Sequence, residues 1–229
     1  MYFPIGFGGS GYWMVFFIIP MILGACASGA ANRRLNKYAQ VANDVGLTGA
    51  QAAANMLNFH EVSGVGIGTG GSGQDFYNPK DNTISLSSSY YSQASVTAIA
   101  VACHEAGHAC QHAQGYGPIK FRTALVPVVN MVSNAWIFIL LAGIIFNIVG
   151  LSYIAVIAFG LTLLFHLVTL PVEFNASTRA IKYLETLSLS DNQFKACKRI
   201  LWSCAMTYVV AALISALQLI WVLLRTRRD

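Results

Sequence analysis

Three runs of this chain contain no acidic or basic residue apart from a histidine: residues 1–32, 123–172 and 200–224. A bilayer core about 30 Å thick takes about 20 apolar residues in helical form. The first and last runs therefore each hold one membrane span and the middle run holds two. The expected spans are 12–31, 126–146, 154–172 and 206–224, with the turn Asn147-Ile148-Val149-Gly150 dividing the middle pair. Composition agrees, with 55% hydrophobic and 10% charged residues, where soluble domains have roughly 45–50% and about 25%. An ordinary soluble domain is excluded, and so is a disordered chain. The five cysteines are scattered over 229 residues, which excludes a disulfide-stapled mini-domain.

Orientation follows from the basic residues that flank the spans. Residues 33–122 carry Arg33, Arg34, Lys37, Lys80, Lys120 and Arg122, and residues 173–199 carry Arg179, Lys182, Lys195, Lys198 and Arg199. With four spans both regions lie on one face, expected to be the cytoplasm, with both termini outside. The tail residues Arg225, Arg227 and Arg228 run against the rule but are outnumbered. The net charge of +5 reads as an orientation signal, and no basic stripe interleaved with aromatics makes nucleic acid an expected partner. Leu23-Gly24-Ala25-Cys26 loosely matches a lipoprotein box. No basic residue precedes that apolar run, however, and Arg33-Arg34 follows it directly, the pattern of an anchor with its amino end outside.

Between the first two spans, residues 36–120 turn polar and rich in Gly and Ser, a unit too small to hold a large core alone and expected to lean on the membrane. Thr48 with Gln51 fits a capping box, which opens a short helix carrying Ala52, Ala53, Met56 and Leu57 to about Phe59. Val62, Val65 and Ile67 suggest a strand. Phe76-Tyr77, the turn residues 78–82 and the alternating Thr83-Ile84-Ser85-Leu86-Ser87 suggest a hairpin. Residues 66–71 contain G-x-G-x-x-G, but no helix is expected to begin there, so the stretch reads as a flexible glycine turn and not a dinucleotide site. Ser92 or Ser95 caps a helix that runs through Val96, Ile99 and Cys103 to Gln114, where Gly115, Gly117 and Pro118 stop it. Its first half has almost no polar face, so it is expected to be buried.

Inside that helix lies His104-Glu105-Ala106-Gly107-His108. Four residues at 100° each return His108 to within about 40° of His104, one turn and about 6 Å along the axis. Both imidazoles can then reach one metal ion, while Glu105 points to a neighbouring face where a carboxylate can take a proton from water that the metal activates. The alternative, two core histidines beside a structural ion pair, hides a charge in an almost apolar helix at a cost of several kcal/mol. A third ligand is needed. His112 is about 12 Å from His104 along the axis, too far for the same ion, and reads as a supporting or surface residue. Among the few later acidic residues, Glu173 stands where the third span leaves the membrane. Ala176 and Ala180 lie beside it on a helix, leaving room for another helix to approach. Glu173 is the expected third ligand.

These residues resemble the gluzincin pattern, H-E-x-x-H with a downstream Glu, and specifically the YugP-like neutral zinc metallopeptidases of bacterial membranes. The matching stretches are 76–79, 84–87, His104 to Gln111, and 170–177, so the likeness covers nearly the whole chain. More distantly, the chain is similar to HtpX-type and CAAX-type membrane endopeptidases, in which a Glu-x-x-Ala-Asp motif carries the Glu ligand; Ser177 stands where that Asp would be. The resemblance implies a zinc endopeptidase with one Zn2+ per chain, His104, His108 and Glu173 as ligands and Glu105 as general base. It implies a protein or peptide substrate, and the strand 84–87 is expected to pair with it at a sheet edge. Candidate donors for the transition state, or supports for the ligands, are Arg179, Tyr183, His166, His112 and Asn175. His166 lies two turns before Glu173, and an inter-helix hydrogen bond fits it as well as an active-site role.

The expected fold is mainly α: about four transmembrane helices with a small α+β zincin-like domain. The expected division is an anchor (1–34), a metallopeptidase unit (35–122), a two-span hairpin (123–173), a helical segment completing the site (174–203), and a last span with basic tail (204–229). Two other readings stand beside the endopeptidase. A site-2-type intramembrane protease also uses H-E-x-x-H, but the Asn78-Pro79-Lys80-Asp81 that mimics its Asp motif precedes the His pair. A catalytically silent membrane scaffold would lack zinc and any dependence on Glu105. Cys103, Cys110, Cys197 and Cys204 read as packing residues, and Cys26 lies in the anchor.

Overall fold

The computed structural model describes residues 18–226 apart from 72 and 147. In chain order the elements are α1 (Ile19–Ala39), α2 (Gly49–Phe59), β1 (Gly66–Gly70), β2 (Phe76–Asn78), β3 (Thr83–Ser87), α3 (Ser88–Ser92), α4 (Val96–Ala113), α5 (Gly117–Ile145), α6 (Val149–Leu184) and α7 (Asp191–Thr226). The protein is mainly helical, with a small three-stranded sheet.

The polar unit is built around α4. Its helix starts at Ser95, whose Oγ accepts from the Ala98 amide, and its flanks are covered on every side. Ala52, Ala53, Met56 and Leu57 of α2, Ile84 and Leu86 of β3, Ala180, Tyr183 and Leu184 of α6, and Ala196, Cys197, Ile200 and Leu201 of α7 pack with Ile99, Ala102 and Cys103 in one core. The capping box of α2 is formed: Thr48 Oγ1 accepts from the Gln51 amide and Gln51 Oε1 accepts from the Thr48 amide. All five cysteines are free thiols, and Cys103, Cys110 and Cys197 are buried packing residues.

The sheet order is β1-β3-β2, with β1 parallel and β2 antiparallel to β3. Two expectations change here. The glycine-rich stretch is not a turn: Gly66–Gly70 is strand β1, paired residue for residue with Thr83–Ser87. Its glycines serve close approach, since a Cβ on Gly70 would run into Ser85 Oγ and one on Gly66 would lie 3.0 Å from Thr83 Cγ2. Nor is the 84–87 strand a sheet edge. It lies between β1 and β2, so its backbone groups are already paired, and the edges are β1 and β2.

Among the described residues, two helical stretches are long and apolar enough to cross a membrane, Val156–Leu184 and Asp191–Ile220. The expected span 126–146 falls almost entirely in α5, with Phe146 just beyond it. The expected span 12–31 enters α1 only from Ile19, its residues 12–17 lying outside the described part. Met21, Met131, Phe138, Ile157, Leu167 and Leu213 on these helices face outward. That much outward apolar surface suits a lipid surround better than water. Pro171 lies inside α6, which continues through it as one helix to Leu184.

Candidate metal centre

The H-E-x-x-H segment is two turns from the C-terminus of α4, and the helical period sets its two imidazoles one above the other, ring centroids 4.7 Å apart and nearly perpendicular. Glu173 enters from α6. Its Oε2 lies 3.2 Å from His104 Nε2 and 3.7 Å from His108 Nε2. One donor atom from each of these three residues lies within 4.8 Å of the others, and His108 and Glu173 are buried. Two imidazole nitrogens and a carboxylate oxygen are donors that suit zinc, with a fourth position left for water or substrate.

What lets Glu173 reach the pair is the closeness of the two helices. A Cβ on Gly107 would lie 2.7 Å from the Ala176 carbonyl oxygen and 3.0 Å from Ala176 Cα. Only glycine fits at that contact, and Ala176 and Ala180 on the facing helix are themselves fully buried. The close approach expected along Ala176 and Ala180 is thus met by Gly107, between the two histidines.

Glu105 is buried next to the cluster, and one oxygen, Oε2, accepts a hydrogen bond from the Tyr77 amide at 3.0 Å. That amide belongs to the edge strand β2 and points away from β3, so the strand holds the carboxylate against the helix. Burial pushes the Glu105 carboxyl above the usual carboxylate range, while His104, His108 and the Tyr77 amide pull it back.

Both imidazoles are held from behind. Ser177, one turn after Glu173 on α6, meets His104 Nδ1 at 3.2 Å, at the place the motif comparison gave to an aspartate. His108 Nδ1 lies 3.0 Å from Gln111 Oε1. Gln111 is fully buried and donates through Nε2 to the Val172 carbonyl at 2.7 Å and to Asn175 Oδ1 at 3.0 Å. Arg179 Nε donates to the same Asn175 oxygen at 2.8 Å, and its Nη1 donates to Gln114.

The other sequence candidates are placed elsewhere. Tyr183 is buried against Phe59 with ring centroids 5.7 Å apart. His166 Nδ1 meets Ser215 Oγ at 2.8 Å, an α6–α7 hydrogen bond. His112 faces the Tyr77 ring at 6.0 Å. Arg179 and Asn175 sit behind the ligands, in the network just described. Asp81 is bound by Asn78 Nδ2 at 2.7 Å in the β2–β3 turn, apart from the cluster. Sequence reasoning missed Gln111, which looks like one more polar residue on a buried helix; its spacing of three from His108 was the available clue. It also missed Arg122, whose Nη2 lies 3.9 Å from Glu173 Oε1. The clue there was position, since Arg122 is the last charge before the run 123–172 that Glu173 ends.

A mainly helical chain of membrane character that gathers two histidines and a glutamate around one point is a candidate metal-dependent hydrolase. Over residues 13–227 the sequence matches the family described as "Putative neutral zinc metallopeptidase", and the protein belongs to that family. It is 36% identical over 186 residues to "Putative membrane protease YugP" of Bacillus subtilis (strain 168), an alignment covering 80% of this chain and 83% of that protein. No solved structure matches the chain significantly.

Proposed function

We propose that the protein is a membrane-embedded zinc endopeptidase of the gluzincin type, with His104, His108 and Glu173 holding one zinc per chain and Glu105 as general base. The observation that carries this reading is the convergence of three donor atoms from α4 and α6 beside a further buried carboxylate. A zinc ion held there supplies a Lewis acid that polarises a peptide carbonyl and lowers the pKa of water to near neutrality.

The remaining steps belong to this chain's own residues. Tyr77 holds Glu105 by Oε2, which leaves Oε1 to accept the proton of the attacking water and pass it to the departing amine nitrogen. The raised proton affinity of that buried carboxyl suits it to both halves of the transfer. Ser177 and Gln111 keep the imidazoles turned toward Glu173. Of the two edge strands, β2 has its outward amide, that of Tyr77, taken by Glu105, which fixes this side of the sheet to the H-E-x-x-H helix.

The membrane arrangement in this reading is four spans near 12–31, 126–146, 154–172 and 206–224. The catalytic unit stands at the cytoplasmic face of a bacterial plasma membrane, and the substrate is a protein or peptide, in membrane-protein processing or quality control. Two apolar helices, the outward apolar side chains and the description of the Bacillus relative as a membrane protease support the chain's insertion in a membrane, and the flanking basic residues are the ground for the orientation. The test is zinc per chain, by elemental analysis, for wild type and Glu173→Ala purified side by side. About one zinc in wild type and a sharp loss in the variant are expected. A folded wild type without zinc would put the scaffold reading ahead, and a variant that keeps its zinc would place the third ligand elsewhere.

A further inference from the structure

A histidine can hold a metal through Nε2 only if that nitrogen carries a lone pair, so the proton of the neutral ring must sit on Nδ1. For His108 the neighbours decide this by chemistry alone. The Val172 carbonyl is acceptor-only, so the atom of the Gln111 amide 2.7 Å from it is the NH2 group. The Arg179 guanidinium is donor-only, so the atom of Asn175 it meets at 2.8 Å is the carbonyl oxygen. That same oxygen takes the second hydrogen of the Gln111 amide at 3.0 Å. Both constraints orient Gln111 in one way, with Oε1 facing His108 Nδ1 at 3.0 Å. An amide oxygen only accepts, so Nδ1 must donate.

We propose that Gln111 is the positioning residue that sets the tautomer of His108, its polarity imposed by the Val172 carbonyl and, through Asn175, by Arg179. The network keeps a proton on Nδ1, so that Nε2, which faces Glu173, is the nitrogen left to give its lone pair to a metal. The arrangement rests on the zinc-peptidase reading for its purpose, but not for its geometry. It also gives Arg179 and Asn175 a role different from meeting the substrate: both sit on the far side of Gln111 from the imidazole. Gln111 is fully buried, and burial makes the orientation hard to escape, because a turned amide would set its Oε1 against two acceptors, the Val172 carbonyl and Asn175 Oδ1, and leave both without their donor.

The experiment is nitrogen NMR of the full-length chain in detergent micelles, labelled with 15N in the histidine rings, zinc-free and zinc-loaded at one mildly alkaline pH. The His108 signals are identified by their loss in His108→Asn. In zinc-free wild type the proton is expected on Nδ1. In Gln111→Met, which keeps the volume and removes the acceptor, the His108 ring is expected to move to the Nε2–H form or a mixture, and zinc affinity to fall about tenfold or more. Asn175→Asp is the discriminating companion. A carboxylate there still accepts from Arg179 and from Gln111, so the tautomer is expected unchanged and zinc affinity within about threefold of wild type, whereas a merely packing role for Asn175 predicts damage from a charge. A zinc-free wild-type ring with its proton on Nε2 and none on Nδ1 overturns the proposal, as does an unchanged ring in a folded Gln111→Met. Should Gln111→Met fail to fold, the wild-type tautomer and Asn175→Asp still decide. Failure of the peptidase reading looks different: wild type with the proton on Nδ1 and no zinc bound.

Discussion

Ser177 shows how much one side chain's neighbours decide. Its Oγ lies 3.2 Å from His104 Nδ1, one helical turn beyond Glu173, so a hydroxyl does there what a carboxylate would do more strongly. Ser177→Ala is expected to lower zinc affinity about tenfold while leaving the fold intact, and Ser177→Asp to retain or raise it, read by competition with a chromogenic chelator. Glu105 belongs to the same scale but to a different step. Glu105→Gln keeps the shape and the Tyr77 hydrogen bond through the amide oxygen, yet has no basic oxygen to take a proton. It is expected to hold zinc as wild type does and to lose hydrolysis by about a hundredfold or more, measured with a quenched-fluorescent peptide library. Full activity in that variant would remove Glu105 from the mechanism. His104, Glu105 and His108 were legible in the sequence because five consecutive residues and the helical period place them. Gln111 and Arg122 were not, because their meaning depends on α6, which is some sixty residues away in Gln111's case and fifty in Arg122's.

At the scale of elements, the site depends on how closely α4 and α6 pack. Gly107→Ala sets a methyl group 2.7 Å from a backbone carbonyl that cannot rotate away, so the helices must separate. Such overpacking costs about 1–3 kcal/mol. The expected result is a lower thermal midpoint together with weaker zinc binding, since Glu173 moves with α6. Gly160→Ala on the same helix meets nothing within 4 Å and is the control that should change neither. The sheet illustrates the opposite limit of sequence reading. The β2–β3 hairpin was visible from alternation and turn residues, both local. A strand was expected from Val62 to Ile67, but its actual course through Gly66–Gly70 and its parallel pairing with β3 were not visible, because glycine has weak strand preference and the pairing partner lies beyond the intervening β2.

For the whole molecule, the decisive quantity is which face of the membrane carries the catalytic unit. Single cysteines placed at 80 and at 182, in a background lacking the natural five, are expected to resist a membrane-impermeant maleimide in intact cells and to react once the cells are opened. Labelling of residue 80 from outside would reverse the orientation. The chain's own pattern of charge determined a good deal: long uncharged runs announce membrane helices, and H-E-x-x-H announces a helical pair of metal donors, because hydropathy and the helical period act over one or a few turns. The tertiary structure alone decided that Gly107 meets Ala176, that β3 is interior, that His166 bonds to Ser215 on α7, and that Gln111 stands between Val172 and His108. Each of these is a contact between segments far apart along the chain, chosen by close packing and by the need of every buried polar group for a partner, and neither leaves a periodic trace in the sequence.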